Sequence, residues 1–319
     1  MTFRPLPLRT GASLGFGSVG GVMAILNVTP DSFSDGGRHL SAVAAIEAGL
    51  RFADAGAAIL DVGGESTRPR GTAYGDGAGE VTVDEELVRV LPVVEGIRAA
   101  RPSIPISVDT RRVDVARRVL DAGADVVNLV TGLDPPDGLL DLVVERGAAI
   151  VLNHMRGVPS TTFEVSRFGP DVVADVAADL ARGRRRALVA GLRPDRVFVD
   201  PGLGFGKSPD QNFALLAGLA LLAPEGVPMV VGASRKAFLG SLSGRPPAER
   251  LPESLAACAV AVERLQGRNP LLLRVHDVEE TLRFVRLLAA AGTAGRERPS
   301  DAAGRAPGTP SGGFFPPST

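Results

Sequence analysis

Short apolar runs alternate with longer amphipathic stretches along this chain, and the alternation repeats eight times between residues 23 and 289. Within the short runs apolar and polar positions do not alternate, which is typical of parallel strands covered on both faces. The predicted strands are 23–28, 58–62, 104–108, 126–130, 149–153, 197–200, 229–232 and 271–275. The predicted helices are 42–55, 83–99, 113–122, 137–146, 170–190, 211–222, 253–266 and 278–289. Eight such repeats predict an α/β fold of the (β/α)8 or TIM-barrel type.

Polar clusters follow six of the predicted strands. They read NVTPDSFSDGG (27–37), GGESTRP (63–69), SVDT (107–110), DPGLGFGK (200–207), GASRK (232–236) and RVHDV (274–278). The carboxyl ends of barrel strands meet at one face, where barrel enzymes build their active sites. A doubly wound open sheet is the alternative, but no glycine-rich dinucleotide turn follows the first strand, and the polar residues are spread over many strand ends. The pattern therefore predicts a barrel enzyme.

The loops and termini divide the chain further. The segments 29–40 and 64–82, after the first and second strands, are long, and the second is rich in glycine, so we expect both to be mobile before a ligand binds. Residues 1–20 are predicted to form a short hairpin or arm that closes the bottom of the barrel, and residues 21–291 the barrel itself. Residues 292–319 are rich in Gly, Pro, Ser and Arg and are predicted to be a disordered tail.

Composition narrows the class of protein. The chain has 319 residues, of which 45% are hydrophobic and only 4% aromatic, so branched aliphatic side chains must fill a sizeable core. A net charge of −1 gives no field that would attract nucleic acid or an anionic membrane, and we expect neither as a partner. A single cysteine, Cys258, excludes an intramolecular disulfide framework and favours a cytoplasmic location. No apolar run reaches the ~18 residues that a membrane span needs.

Two acids and an amide lie at the ends of apolar runs or within them. Asp109 and Asp200 each end an apolar run, and Asn128 lies within another. A charge buried there costs several kcal/mol unless it has a partner. The alternative is a helix cap; it stays open for Asp109 and is weaker for Asp200, because Pro201 turns the chain away. Converging on the barrel mouth, these groups would bind the amino-amide edge of a flat heterocycle such as guanine or pterin, with Lys236 bonding the ring from another side.

A second group of polar side chains is cationic or carries an amide: Asn27, Arg68, Arg274 and His276. Arg274 and His276 are two residues apart on the last strand and therefore point to the same side. An isolated surface arginine is usually a solvated side chain that contributes almost nothing. Two arginines and a histidine at a barrel mouth instead predict an anion site, because arginine bonds phosphate oxygens with two parallel N–H groups.

The clusters together resemble a known family. The segments MAILNVTPDSFSDGG, AAILDVGGESTRP, ISVDT, DPGLGFGKS with Asn212, GASRK and RVHDV are similar to the motifs of the dihydropteroate synthases, over about residues 20–290. The resemblance implies a transferase of folate synthesis. It would join 6-hydroxymethyl-7,8-dihydropterin pyrophosphate to p-aminobenzoate, giving 7,8-dihydropteroate and pyrophosphate. It also implies Mg²⁺ as cofactor, sulfonamides as inhibitors and a homodimer.

The resemblance also implies a role for each matched residue. The pterin would be held by Asp109, Asn128, Asp200 and Lys236. The pyrophosphate would be bound by Asn27, Arg68, Arg274 and His276, with Asn27 also the residue for Mg²⁺. The p-aminobenzoate pocket would be shaped by Phe33, Thr67, Pro69, Phe205 and Ser234. Asp35 would lie beside the reacting methylene, and the catalytic residues would be Asp35, Arg68 and Lys236.

Three features depart from the family's motifs. Leu129 stands where an aspartate is usual, Asn153 stands where a methionine is usual, and the segment after Pro69 is longer, with Arg70 in place of a glycine. Loss of the aspartate would remove a partner that orients the pterin-binding acids. Two other functions therefore stay open. One is a pterin-binding methyltransferase acting on a methylated reduced folate, which needs no anion clamp. The other is a non-catalytic pterin-binding paralogue, which Leu129 and Asn153 favour.

Overall fold

The protein is a closed parallel barrel surrounded by helices. The computed structural model describes residues 3–28, 37–65, 81–159 and 161–294. Eight strands close in the order β10-β3-β4-β5-β6-β7-β8-β9, with every neighbouring pair parallel. The predicted (β/α)8 barrel is therefore confirmed. The greater part of the two predicted mobile loops, 29–36 and 66–80, and the tail from residue 295 lie outside the described residues.

All eight predicted barrel strands are present, with ends shifted by no more than two residues. The barrel strands are β3 Gly21–Asn27, β4 Ile59–Gly63, β5 Ile106–Asp109, β6 Val126–Leu129, β7 Ala149–Asn153, β8 Val197–Asp200, β9 Met229–Val231 and β10 Leu271–Val275. Two further short strands, β1 Leu6–Pro7 and β2 Ser13–Leu14, pair antiparallel near the N-terminus.

The helices follow the strands as predicted, with two additions. They are α1 Gly37–Ala55, α2 Val83–Ala100, α3 Val113–Asp121, α4 Leu139–Glu145, α5 Thr162–Val165, α6 Val172–Val189, α7 Pro209–Ala217, α8 Ala237–Ser243, α9 Leu251–Leu265 and α10 Val278–Ala294. The short helices α5 and α8 were predicted as loop, because neither is long enough to show a helical period. Helix α7 begins earlier than predicted, since Ser208 and Gln211 form a capping box at its first turn. Among the described helices, none is long and apolar enough to cross a membrane.

The apolar residues form two buried layers. The larger lies between the strands and the helices and contains Leu129, which is fully buried. The smaller fills the barrel interior near the starts of the strands and includes Met23 and Phe198. Since successive side chains of a strand face opposite ways, Leu129 faces the helices while its neighbour Asn128 faces the interior. A side chain at position 129 therefore faces away from the interior acids, and leucine there does not deprive them of a hydrogen-bonding partner.

The N-terminal hairpin packs into the amino-terminal end of the barrel. Leu14 and Phe16 belong to the interior apolar layer, and the ring centroids of Phe16 and Phe198 are 6.2 Å apart. Arg9 fastens the hairpin by donating to the carbonyl oxygens of Arg146, Leu120 and Ala124 at 2.8, 2.9 and 3.0 Å. This end of the barrel is filled with side chains, so the opposite, carboxyl end is where a substrate can enter.

Candidate active site

Polar side chains from five strands meet inside the carboxyl end of the barrel. They are Asp61 on β4, Asp109 on β5, Asn128 on β6, Asp200 on β8 and Arg274 on β10. Asp61 is fully buried, and the exposed fractions of Asp109, Asn128 and Asp200 are 8%, 6% and 6%. The predicted convergence of the two acids and the amide is therefore seen in the fold. Asp109 and Asn128 are register partners on β5 and β6, which brings these two side chains to one level.

Asp61 joins the members of this group. Its Oδ2 accepts a hydrogen bond from Arg274 Nε at 2.7 Å and another from Asn128 Nδ2 at 3.1 Å. Arg274 also donates through Nη2 to Asp109 Oδ2 at 2.9 Å. The guanidinium thus bridges two carboxylates, and among the described residues its Nη1 has no such partner. The sequence prediction missed Asp61, although an aspartate inside the apolar run ILDVG carries the same signal that identified Asn128.

The environment of Asp109 favours its neutral form. Burial raises the pKa of Asp109 to about 7, Arg274 opposes the shift, and Asp61 adds to it. The helix-cap alternative for Asp109 is wrong, because α3 begins at Val113 and its N-cap is Arg112. Near neutral pH this carboxyl group can therefore exchange a proton when a ligand arrives.

Asp200 is fixed by the turn that follows β8. Its Oδ1 accepts a hydrogen bond from the amide of Gly202 at 2.7 Å. Burial raises the pKa of Asp200, although Lys236 and the Gly202 bond lower it. Helix α7 is capped by Ser208, so Asp200 is not a helix cap. It presents a buried carboxyl group beside a cation.

Lys236 connects the acids to the loop after β8. Its Nζ donates to the carbonyl oxygen of Leu203 and lies 4.4 Å from the centroid of the Phe205 ring. Burial lowers the pKa of Lys236 to about 8, while Asp200 raises it. The residue predicted to bind the pterin thus contacts a residue predicted to bind p-aminobenzoate, so the two predicted subsites are adjacent.

His276 and Ser234 form a pair at the end of β10. The Ser234 hydroxyl oxygen lies 3.2 Å from both the backbone nitrogen and the ring Nδ1 of His276. Burial lowers the pKa of His276 to about 3, with Arg274 and Arg235 acting in the same direction. The expectation of a cationic histidine is therefore wrong for the free protein: His276 is neutral at pH 7 and can offer one N–H group to an anion.

Arg235, between Ser234 and Lys236, has the left-handed backbone conformation of a turn. It is the one non-glycine residue with a positive φ, 59°, in the described part of the chain. Its backbone amide donates to Ser254 Oγ at 3.0 Å, and its guanidinium pairs with Asp277. A left-handed backbone costs about 1 kcal/mol or more at a non-glycine residue, and these contacts offset that cost. The sequence prediction gave Arg235 and Asp277 no role.

The remaining predicted residues lie just before or within the two long loops of the sequence. Asn27 is the last residue of β3 and is exposed. Phe33, Asp35, Thr67, Arg68 and Pro69 lie outside the described residues. Within the described residues, no cluster of three or more histidine, cysteine, aspartate or glutamate side chains could hold a metal ion.

The start of the second long loop is anchored by an ion-pair network. Glu65 pairs with Arg112 at 2.7 Å and with Arg111 at 3.3 Å. Arg112 also pairs with the buried Glu86 at 2.6 Å. Burial acts to raise the pKa of Glu65, but the two arginines lower it overall. Glu65 therefore stays ionised, and the chain entering residues 66–69 has a fixed starting point.

Comparison with known proteins agrees with this arrangement. Residues 23–276 match the family model described as pterin binding enzyme. The chain belongs to the pterin-binding enzyme family. It is 44% identical to dihydropteroate synthase of Escherichia coli strain K12 over 269 residues, which is 84% of this chain and 90% of that protein.

Solved members of the pterin-binding enzyme family share the fold. A Xanthomonas albilineans dihydropteroate synthase with 4-aminobenzoic acid has a TM-score of 0.79 and 40% identity, covering 94% of this chain and all of that one. A Burkholderia cenocepacia dihydropteroate synthase complexed with 7,8-dihydropteroate has a TM-score of 0.79 and 37% identity, covering 93% of this chain and all of that one.

Asn153 departs from the motifs of the pterin-binding enzyme family without leaving a polar group unpaired. Its side-chain nitrogen donates to the carbonyl oxygen of Val130 at 2.8 Å. It pairs in register with Asp200 across β7 and β8. The amide that replaces an apolar side chain is thus bound to the backbone. Together with the outward orientation of Leu129, this leaves the group formed by Asp61, Asp109, Asn128 and Arg274 intact.

Proposed function

We propose that this protein condenses 6-hydroxymethyl-7,8-dihydropterin pyrophosphate with p-aminobenzoate, as a dihydropteroate synthase does. The observation that carries the proposal is the group of buried Asp109, Asn128 and Asp200 beside half-buried Lys236 at the carboxyl end of the barrel. Two acids and an amide suit the amino-amide edge of a pterin, and the names of the relatives and solved structures support the same reaction.

The hydrogen-bond pattern supports a proposed role for each of these four groups. Asn128 donates an N–H to Asp61, so its amide oxygen would accept a hydrogen bond from the ring. The carboxyl groups of Asp109 and Asp200 would accept from ring N–H and amino groups. Lys236 would donate to the ring carbonyl or a ring nitrogen. Since Asp109, Asn128 and Asp200 are buried, a ring that lacks the matching edge would leave their polar atoms unpaired, which makes the site selective.

The reaction would then proceed by departure of pyrophosphate. The C–O bond to the pterin methylene breaks, and Arg68 and Arg274 stabilise the growing negative charge while His276 donates one hydrogen bond. Asp35 would stabilise the electron-poor methylene. The amino group of p-aminobenzoate, neutral near pH 7, forms the new C–N bond and releases a proton to solvent or pyrophosphate. Placement of the amine supplies the remaining rate enhancement.

Mg²⁺ is part of the proposal, with Asn27 as the residue that would hold it. The side chain of Asn27 is exposed and offers an amide oxygen, the ligand type that Mg²⁺ prefers. Mg²⁺ usually keeps several waters and binds substrate phosphates, so one protein ligand suits it. The ion would supply positive charge to the pyrophosphate oxygens.

A product assay tests the proposal. Purified protein with both substrates and Mg²⁺ should release dihydropteroate and pyrophosphate in equal amounts, and no dihydropteroate should form when p-aminobenzoate is omitted. Binding of the pterin without formation of either product would contradict it. Methyl transfer from a methylated reduced folate to a corrinoid acceptor would indicate the methyltransferase function instead.

A further inference from the structure

The two lysines of this chain both bind one loop. Of the 35 lysines and arginines in the sequence, only Lys207 and Lys236 are lysines. The loop is residues 201–208, which connects β8 to α7 and is called here the β8–α7 loop. Lys236 lies outside this loop and donates to the carbonyl oxygen of Leu203 in it. Lys207 lies within the loop and donates to the carbonyl oxygen of Gly202. Arginine occupies all other basic positions, which points to a geometric need for an ammonium group at these two.

Lys207 is a buried ammonium surrounded by backbone carbonyls. Its Nζ donates to Gly202 O at 2.8 Å, to Phe205 O at 3.1 Å and to His154 O at 3.2 Å. The side chain is 3% exposed. An ammonium has three N–H donors, and here each has one acceptor. Burial lowers the pKa of Lys207, whereas three carbonyl acceptors favour its charged form.

The rest of the β8–α7 loop offers few other means of holding its shape. Gly202, Gly204 and Gly206 all have positive φ and no side chain. A Cβ on Gly202 would lie 1.8 Å from the carbonyl oxygen of His154, so the two backbones are in close contact. Asn212 fixes the far half, accepting from the Gly204 amide at 2.6 Å and donating to the Lys207 carbonyl at 3.1 Å. Lys207 ties the near half to His154, the residue that follows β7.

We propose that Lys207 is a positioning residue for p-aminobenzoate: it fastens Gly202 and Phe205 to His154 and so fixes the Phe205 wall of the aminobenzoate pocket before either substrate binds. The inference rests on the proposed function. The role of Lys207 is to place Phe205, against which Lys236 packs. The three carbonyl oxygens converge on the single Nζ atom of Lys207, whereas a guanidinium spreads its N–H groups over three nitrogens in one plane, so arginine should not substitute for it.

The test compares Lys207→Met and Lys207→Arg with Arg9→Met. Arg9 is a matched control, because it also donates to three backbone carbonyls, but at the opposite end of the barrel. All three variants should lose thermal stability. Only the Lys207 variants should raise KM for p-aminobenzoate and weaken binding of the analogue sulfanilamide, each by roughly tenfold or more. The Kd of the pterin pyrophosphate should rise by a smaller factor, because Gly202 also holds Asp200.

Equal KM values for p-aminobenzoate in the Lys207 and Arg9 variants would overturn the inference, as would an equal loss of pterin affinity. If Lys207→Met does not fold, Lys207→Gln keeps two donors and should show the same selective loss. Failure of all Lys207 variants to fold while Arg9→Met folds would also overturn it, because Lys207 would then be a folding residue. A lack of product with the unaltered protein counts against the proposed function, and sulfanilamide calorimetry with pterin, pyrophosphate and Mg²⁺ present still measures the pocket in that case.

Discussion

Replacing Asp61 by asparagine should shift the pH dependence of pterin binding to lower pH. Asp61 and Asp109 share the guanidinium of Arg274, at 2.7 and 2.9 Å. Burial holds the pKa of Asp109 near 7, and the charge of Asp61 contributes to that value. In the proposed function the Asp109 carboxylate accepts hydrogen bonds from the pterin, so affinity should fall as pH falls through about 7. Asparagine removes the neighbouring charge and leaves Arg274 to pair with Asp109 alone, and both effects lower the pKa of Asp109.

The size of the shift follows from Coulomb's law. Carboxylates that share one guanidinium lie on the order of 5 Å apart, and at an effective dielectric constant of about 20 their repulsion is about 3 kcal/mol. That corresponds to about two pKa units, and Arg274 screens part of it, so we expect a shift of about one unit. Asparagine can still accept the bond from Arg274 but loses its charge assistance, which should cost about 1–2 kcal/mol of stability.

Calorimetric titration of the pterin pyrophosphate between about pH 5.5 and pH 8.5 measures the shift, since this range spans the pKa of Asp109. Asp54→Asn is the matched control, because it removes an exposed aspartate that pairs with Arg101 at 2.9 Å. The control should leave both the pH midpoint and the melting temperature unchanged. An Asp61→Asn protein whose midpoint stays in place, or rises, would refute the coupling of Asp61 to Asp109.

Three further predictions follow from the site. Asp200→Asn places a donor against the donors of the pterin edge and should cost about 2–4 kcal/mol of pterin affinity by calorimetry; unchanged affinity would make Asp200 a purely structural group. Arg68→Lys keeps the charge but loses the planar fork, so steady-state kinetics should show lower turnover with pterin affinity nearly unchanged; the reverse pattern would contradict the assigned role. p-Aminobenzoate should bind measurably by calorimetry only with pterin, pyrophosphate and Mg²⁺ present, and we expect a coupling of about 1–3 kcal/mol between its binding and theirs. Equal affinity without them would contradict assembly of its pocket by the two long loops.

The barrel and the inward-facing Asp109, Asn128 and Asp200 were predictable from sequence because both depend on local pattern. A short apolar run predicts a strand wherever it lies, and a polar residue at or near its carboxyl end is a candidate for the mouth of a barrel. The short helix α8 was not predictable in this way, since seven residues are too few to show a helical period.

What sequence could not give are properties that depend on contacts between distant parts of the chain. Asp61 pairs with Arg274, which is 213 residues away, and the sequence near either position does not indicate the pair. The neutral state of His276 depends on burial and on the charges of Arg274 and Arg235. The sequence analysis gave Lys207, in the glycine-rich segment DPGLGFGK, no role, and only the fold shows its ammonium bonded to three carbonyls.

A crystal structure with the dihydropterin pyrophosphate bound tests the central claim most directly. The account predicts that the ring lies inside the carboxyl end of the barrel, with its amino-amide edge within hydrogen-bonding distance of Asp200 and Asn128. Asp109 and Lys236 should contact the remaining ring atoms, and Asp61 should still hold Arg274. A ring bound elsewhere, or one whose amino-amide edge faces neither Asp109 nor Asp200, would contradict it.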